Sequence, residues 1–355
     1  MVSTEACFVG DNSTVTSSNV RIISLNHKEW HEVWLSRVSV LPGYVAAWSR
    51  FSSNQSATRS LAFDVKWAVT LFRASRQFAA VYTTCERASW IFALMQSLIP
   101  GRAKIHLQAD LQWTPADERP RQSLKRALFR LGQRSISDII VYSRSQAERY
   151  ARYFPFAAAK FNPIPYHSTL FGRPVQPGDG DYIFAGGDTG RDYRTLIEAA
   201  RRLKYKTIIA VLHRDHFSGV DIPANVSIAS YPKPRFLQLM ANAAVVIVPL
   251  RKTLLHSGGH QTYLNAMALG KAVIVADDNG ADEYISNGVS GMIVEPGDVD
   301  AMTDAIASLL DHPALRREMG VRAKETAARY TPELFFRRIF DLADQRCRAA
   351  NFGRL

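Results

Sequence analysis

The chain has 355 residues, 47% of them hydrophobic and 21% charged, without a low-complexity tract; this fits two compact domains and excludes a disordered or fibrous chain. Its longest apolar run, Ala241 to Leu250 broken only by Asn242, is too short to cross a bilayer. The net charge of +12 is uneven: residues 1–170 hold 21 Lys and Arg against 11 Asp and Glu, while residues 171–355 hold 23 against 21. The basicity of the first half points to an anionic partner there, and no recognition motif or aromatic-basic platform supports nucleic acid. Cys7, Cys85 and Cys347 have no metal or redox spacing, and Met1–Cys7 lacks the start of a secretory signal, so a cytoplasmic setting is expected.

In chain order, Val20–Leu25 reads as a first strand and Phe78–Thr83 as a second, leading into a helix from about Glu86 to Leu98. Strand Ala103–Gln108 is followed by an irregular Asp110–Pro115, a basic helix Ser123–Ser135, strand Asp138–Tyr142 and a helix from Ser145 to Tyr153. Proline and glycine crowd residues 155–180, which marks a domain boundary. The pattern then restarts: strand Tyr182–Ala185, helix Tyr193–Leu203, strand Thr207–Leu212, strand Val226–Ala229, helix Pro234–Asn242 and strand Ala244–Pro249. A helix opening near His260, strand Ala272–Ala276, and helices Asp300–Leu310, Pro313–Ala328 and Pro332–Arg346 complete it. Strands alternating with helices predict two α/β lobes, each a doubly wound parallel sheet, with residues 1–170 in the first lobe and 171–330 in the second. Residues 331–355 form a final helix with Phe335, Phe336, Ile339, Phe340 and Ala343 on one face.

Two glycine-rich strand–helix junctions in the second half carry the chemistry. In Phe184-Ala-Gly-Gly-Asp-Thr-Gly-Arg191, Gly186, Gly187 and Gly190 let a ligand approach the backbone, and the Arg191 guanidinium can fork onto two phosphate oxygens. A glycine turn bearing a surface arginine is the plain alternative. In Ser257-Gly-Gly-His-Gln-Thr262, a helix start presents the N–H groups of Gly258, Gly259, His260 and Gln261 and the Thr262 hydroxyl outward, which suits a phosphate. His256 and His260 lie four apart, but no third ligand has useful spacing, so no metal is expected. Asp179–Asp181 and Asp298–Asp300 sit in turns and read as turn and cap residues.

Ala266-Met-Ala-Leu-Gly-Lys271, with Asp282-Glu283 and Gly288-Val-Ser-Gly-Met-Ile-Val-Glu-Pro-Gly297, resembles the donor half of a GT-B glycosyltransferase. The match is to retaining family 4, which includes sucrose synthases and many bacterial polysaccharide and lipid glycosyltransferases. The resemblance covers residues 180–345 well and 1–170 in outline. It implies two Rossmann-like lobes facing a cleft, with the last helix crossing back to the first lobe. It also implies metal-free, retaining transfer of a sugar from a nucleotide-diphosphate sugar, used as co-substrate without further cofactor, to a saccharide or lipid-linked acceptor.

Arg191 stands where such proteins carry a diphosphate-gripping Lys, and Gly187 replaces an Arg. The two glutamates of the family motif, one touching the donor sugar and one the ribose, are here Ser257 and Asn265. Stabilisation of the leaving diphosphate by Arg191 and the helix from His260 is then the main catalytic device. Tyr231 and Pro232 fall in the loop that forms the base pocket in relatives, and Asp110 is preferred over His106 as the residue facing the donor sugar. The missing carboxylates motivate a second reading, a catalytically silent sugar-nucleotide- or polysaccharide-binding partner of a synthase complex.

The helix Ser123–Arg134 puts Leu124, Ala127, Leu128 and Leu131 on one face and Arg126, Arg130 and Arg134 on another. Such a basic face is commonly just solvated. In the resembled family several members dock on anionic membranes through the first lobe, which implies a peripheral place on the inner face of the cell membrane.

Overall fold

The computed structural model describes residues 21–24, 38–40, 61–84, 87–99, 104–113, 120–170, 175–252, 255–256, 258–277 and 280–352. The first lobe holds β1 (Ile22–Ser24), β2 (Val38–Val40), α1 (Leu61–Ala74), β3 (Ala80–Thr83), α2 (Arg87–Leu98), β4 (Ile105–Ala109), α3 (Pro120–Gly132), β5 (Asp138–Val141), α4 (Arg144–Tyr153) and β6 (Phe161–Pro163). The second holds β7 (Ile183–Gly186), α5 (Tyr193–Leu203), β8 (Thr207–Ala210), β9 (Val226–Ala229), α6 (Lys233–Ala241), β10 (Val245–Pro249), α7 (His260–Ala268), β11 (Ala272–Ala276), β12 (Met292–Val294), α8 (Val299–Asp311) and α9 (Pro313–Ala327). The helix α10 (Pro332–Phe352) closes the chain.

Each lobe is a six-stranded sheet with every strand pairing parallel, in the orders β2-β1-β3-β4-β5-β6 and β12-β11-β10-β7-β8-β9. Every residue of β10 (VVIVP) and β11 (AVIVA) is buried, as expected where helices cover both faces of a parallel sheet. The second order is the dinucleotide-fold order, in which the chain reverses direction across the sheet between β7 and β10.

One apolar core runs through both lobes. It joins Tyr142 and Tyr166 of the first lobe to Phe184 and Tyr284 of the second, and Phe335, Phe336, Ile339, Phe340 and Ala343 of α10 are all buried in it. Past that face, Arg346 forks onto both carboxylate oxygens of the buried Asp138 at the start of β5, at 2.7 and 2.5 Å. Polar latches add to the core. The Tyr284 hydroxyl donates to the Tyr142 carbonyl and accepts from the Tyr166 N–H at 2.8 Å. The Glu283 carboxylate accepts from the Ser145 N–H in the first turn of α4, where the helix dipole favours an anion.

Four elements lie outside the sequence expectations: α1, β2, β6 and β12. The basic helix α3 also sits in a different rotation from the one its leucines suggest. Phe129 is its buried anchor, in edge contact with Trp90 and Phe154, whereas Leu124 and Leu128 are 61% and 43% exposed. Its arginines are exposed but lie back over aromatic rings: Arg126 donates to the Tyr153 carbonyl and lies over the Tyr153 ring, and Arg130 lies over Phe156. An aromatic ring buries more surface than a leucine and packs edge-on against its neighbours, so Phe129 decides which face goes in.

Candidate functional site

Where strand order reverses, the loops leaving β7 and β10 diverge and leave a crevice at the carboxyl ends of the strands. The two loops are stitched together across that crevice. Arg191 bridges Leu250 in antiparallel sense, the Asp192 N–H donates to the Pro249 carbonyl at 2.8 Å, and the Arg251 N–H to the Gly190 carbonyl at 3.0 Å. Asp188 holds the next loop by accepting from the backbone N–H groups of Leu212 (3.1 Å) and His213 (2.9 Å).

The Arg191 side chain is only 5% exposed and lies across both loops. Its Nε donates to the Gly186 carbonyl (3.2 Å), one terminal nitrogen to the Thr189 carbonyl (2.9 Å) and the other to the Thr262 hydroxyl (3.1 Å). A guanidinium has five N–H groups, and with the Tyr193 hydroxyl also in contact one remains for a ligand. Burial lowers the Arg191 pKa, opposed by Tyr193 and Asp188, but a guanidinium keeps its charge. Gly187 makes room for it. Its φ is +102°, and a Cβ there would lie 2.9 Å from an Arg191 terminal nitrogen.

Facing that cation is the start of α7. Gly259 takes the N-cap position with φ +75° and contributes no side-chain cap; a Cβ on it would lie 2.6 Å from a Val248 methyl. The Thr262 and Tyr263 N–H groups bond to the Gly259 carbonyl. Those of Gly258, Gly259, His260 and Gln261 find no acceptor among the described residues. Four unused donors, the positive end of a helix and an oriented guanidinium form an anion cradle.

These groups line a cleft of about 410 Å³ whose opposite wall is the first lobe, with Thr84, Asp110 and Gln112. Asp110 ends β4 in the left-handed region at φ +58°, a conformation aspartate tolerates better than most residues. Burial raises its pKa to about 6, against the Gln112 amide, which donates to it at 2.8 Å. His260 is pushed down to about 3 by burial, with His256 and Arg191 beside it, and burial lowers His256 as well. Both imidazoles are therefore neutral near pH 7. The Nε2 of His260 is buried without a hydrogen-bond partner among the described residues, whereas the His256 ring lies against the Trp113 backbone.

The cleft thus gathers Asp110, Gly187, Arg191, Gly258, Gly259, His260, Gln261 and Thr262, while Gly186 stands at the end of β7 as an acceptor for Arg191. Ser257 lies outside the described residues. Asn265 departs from the expectation of a ribose contact. Its amide oxygen accepts from the Thr169 N–H (2.8 Å) and the Ser168 hydroxyl (3.0 Å), and its nitrogen donates to the Thr169 hydroxyl. It pins the segment that crosses between lobes, and it is 5% exposed.

Tyr231 and Pro232 are likewise not in the cleft wall: Tyr231 packs on the core and the Pro232 carbonyl accepts from the Phe236 N–H to start α6. His106 is buried within the first sheet against the Thr83 hydroxyl (2.8 Å). Asp298 caps α8 through the Ala301 N–H, and Asp300 pairs with Arg202. Among the described residues no three His, Cys, Asp or Glu side chains are grouped to hold a metal ion. Sequence reasoning missed Asp188, whose place beside two glycines was its signal, and Tyr142 and Tyr166, which are brought to the cleft only by the crossover.

Residues 216–326 match the family described as glycosyl transferases group 1. Over 268 residues the chain is 26% identical to alpha-D-kanosaminyltransferase of Streptomyces kanamyceticus, a match covering 75% of this chain and 60% of that protein. Sucrose-phosphate synthase of Thermosynechococcus elongatus has the same fold, with TM-score 0.66 at 16% identity over 88% of this chain and 84% of that one. HepE of Anabaena, in complex with UDP and glucose, is similar to the same degree: TM-score 0.66 at 15% identity over 91% and 99%. The chain has the GT-B fold, and within its second lobe residues 216–326 are similar to the group 1 glycosyl transferases. The match spans less than two thirds of the length of the kanosaminyltransferase.

Replacing Gly187 by Ala places a methyl group against the Arg191 guanidinium at a backbone angle that resists it. Calorimetric titration with inorganic pyrophosphate is expected to show affinity reduced by roughly tenfold or more, since charge-assisted bonds are lost. Unchanged affinity in a folded Gly187→Ala protein would remove Arg191 from the anion site.

Proposed function

We propose that the chain is a glycosyltransferase moving a sugar from a nucleotide-diphosphate sugar to a saccharide or lipid-linked acceptor, in bacterial polysaccharide or glycolipid synthesis. The observation that carries this reading is the pairing of Arg191 with the free amides at the start of α7, facing a carboxyl group across a cleft. As the bond from sugar to diphosphate breaks, negative charge grows on the leaving oxygens. Donors already aimed at that charge stabilise the transition state more than the ground state. The kanosaminyltransferase and, at 28% identity over 109 residues, the N,N'-diacetylbacillosaminyl-diphospho-undecaprenol alpha-1,3-N-acetylgalactosaminyltransferase of Campylobacter jejuni support sugar transfer, and the HepE complex supports a nucleotide donor.

The diphosphate lies between the Gly258–Gln261 amides and Arg191, with the Thr262 hydroxyl beside it. Asp110 faces the anomeric carbon from the first lobe and, when ionised, favours positive charge there. The neutral His260 ring adds no competing cation next to the sugar. We take the reaction to be retaining and metal-independent on the resemblance of the second lobe to family 4. A donor screen with UDP-, GDP- and dTDP-sugars tests the whole reading: saturable binding with hydrolysis or transfer supports it, and binding of none overturns it. Arg191→Lys keeps the charge but loses the fork, so kcat/KM should fall roughly ten- to a hundredfold.

Asp110 sets a pH dependence. With its pKa raised to about 6, it is protonated below that pH and ionised above it. The profile of kcat/KM, which reports the free enzyme, should rise through about pH 6, and Asp110→Asn should abolish that limb. A rise that persists in the variant would assign the limb to another group.

A second reading, a silent donor-binding partner of a synthase, is favoured by Asn265, which offers no carboxylate and is fully engaged by Ser168 and Thr169. Donor binding without turnover on any acceptor would select it. We also propose a peripheral site on the inner face of the membrane for the first lobe. The exposed Leu124 and Leu128 of α3 are placed to enter a lipid interface, and no helix among the described residues is long and apolar enough to cross a membrane. Cosedimentation with phosphatidylglycerol vesicles should weaken in Leu124→Ser/Leu128→Ser; equal binding by the variant would sink this placement.

A further inference from the structure

The cleft is not the only cationic recess beside Arg191. On the outer flank of the second lobe a pocket of about 330 Å³ is lined by Arg191, Asp192, Arg194, His216, Arg251, Lys252 and the turn at Gly297, cations outnumbering the one acid in the wall. Arg191 lines both cavities and so stands in the wall between them. Two guanidiniums are fixed at the mouth of this recess by the backbone. The Arg251 Nε donates to the Arg191 carbonyl at 3.0 Å, and an Arg194 terminal nitrogen donates to the Ser218 carbonyl at 2.8 Å.

Neither arginine has a carboxylate partner among the described residues. Arg201 and Arg202, farther along the helix that carries Arg194 in its first turn, are by contrast paired with Glu198, Asp221 and Asp300. The acids near the pocket are engaged. Asp192 accepts from the Thr195 hydroxyl and N–H, Glu295 holds Lys252 at 2.7 Å, and Asp188 faces His216 at 3.7 Å while binding the backbone of Leu212 and His213. What remains is an excess of oriented guanidinium N–H groups around a cavity with room for a phosphate and a small group attached to it. Arginine forks recognise phosphate oxygens in this manner, and each backbone anchor lowers the entropy lost on binding.

We propose that this flank is a second anion site, separate from the donor cleft, that takes a phosphoryl dianion as free phosphate or on a phosphorylated small molecule. Arg251 and Arg194 are its primary ligands, and Lys252 and His216 complete its rim. The site does not depend on the glycosyltransferase reading. Because Arg251 grips the Arg191 carbonyl, occupancy of the flank is connected through one residue to the anion cradle of the cleft.

The test is titration of the full chain with inorganic phosphate and with a hexose phosphate, followed by calorimetry and by phosphorus resonance broadening. Wild-type protein is expected to bind two equivalents, one in each cavity, and Arg194→Gln/Arg251→Gln to bind one. Both substituted side chains are exposed, and a thermal melt confirms that the double variant is folded. Single substitutions should weaken flank binding roughly tenfold or more. One equivalent in the wild type, lost in the double variant, keeps the flank and removes the cleft. Binding unchanged in the folded double variant, or no binding in wild type, overturns the flank site. Tighter binding of the hexose phosphate assigns a phosphoester, and equal binding assigns free phosphate.

Discussion

A single buried guanidinium organises the second lobe. Arg191 is strung between the Gly186 and Thr189 carbonyls of one loop and the Thr262 hydroxyl of another. Two segments that leave neighbouring strands in opposite directions are thereby held as one surface. A buried cation without a carboxylate costs desolvation energy, and backbone carbonyls offset part of that cost without neutralising the charge. The net positive potential is kept for whatever enters the cleft. The glycines around it follow from this: Gly187 yields space to the guanidinium, and Gly259 lets the next helix begin against Val248 with its amides uncapped.

Holding one wall rigid is useful only if the other wall is in register. Here a tyrosine network does that work. Tyr284 links the Tyr142 carbonyl to the Tyr166 N–H, Tyr330 donates to the Glu283 carbonyl at 2.9 Å, and Asn265 secures Ser168 and Thr169. The Asn265 amide thus ties the crossover to the second lobe. The Gly280 backbone passes so close to Ser143 that a Cβ would lie 2.6 Å from its side chain, leaving no slack between the lobes at that point. The cleft therefore owes its width to contacts on the far side of the crossover from the anion cradle.

Much of the second lobe was legible from residue order because its strands are continuous apolar runs and its helices begin and end on recognisable signals. The strand Ala272–Ala276 and the helix Tyr193–Leu203 fall where periodicity puts them. Among the three-residue strands, β1 was readable from the longer apolar run around it, whereas β2, β6 and β12 carry too little pattern. The helix α1 was hidden for another reason. Its sequence, LAFDVKWAVTLFRA, is apolar around much of its circumference, includes β-branched residues, and buries Asp64 beside Arg87. A charged residue on the inward face breaks the stripe by which an amphipathic helix is recognised. In the site, the glycines and Arg191 were visible as a local motif. The fate of Asn265 was not, because its partners lie 96 and 97 residues away in the crossover.

The pairing of Arg346 with Asp138 sets a condition on biosynthesis. A ribosome extrudes the strand bearing Asp138 some two hundred residues before the arginine that neutralises it. Lobes emerging from the tunnel commonly fold in order of emergence. The first-made lobe therefore holds its buried carboxylate near Lys160 alone until α10 arrives, so its full stability is reached only after the second lobe has been made.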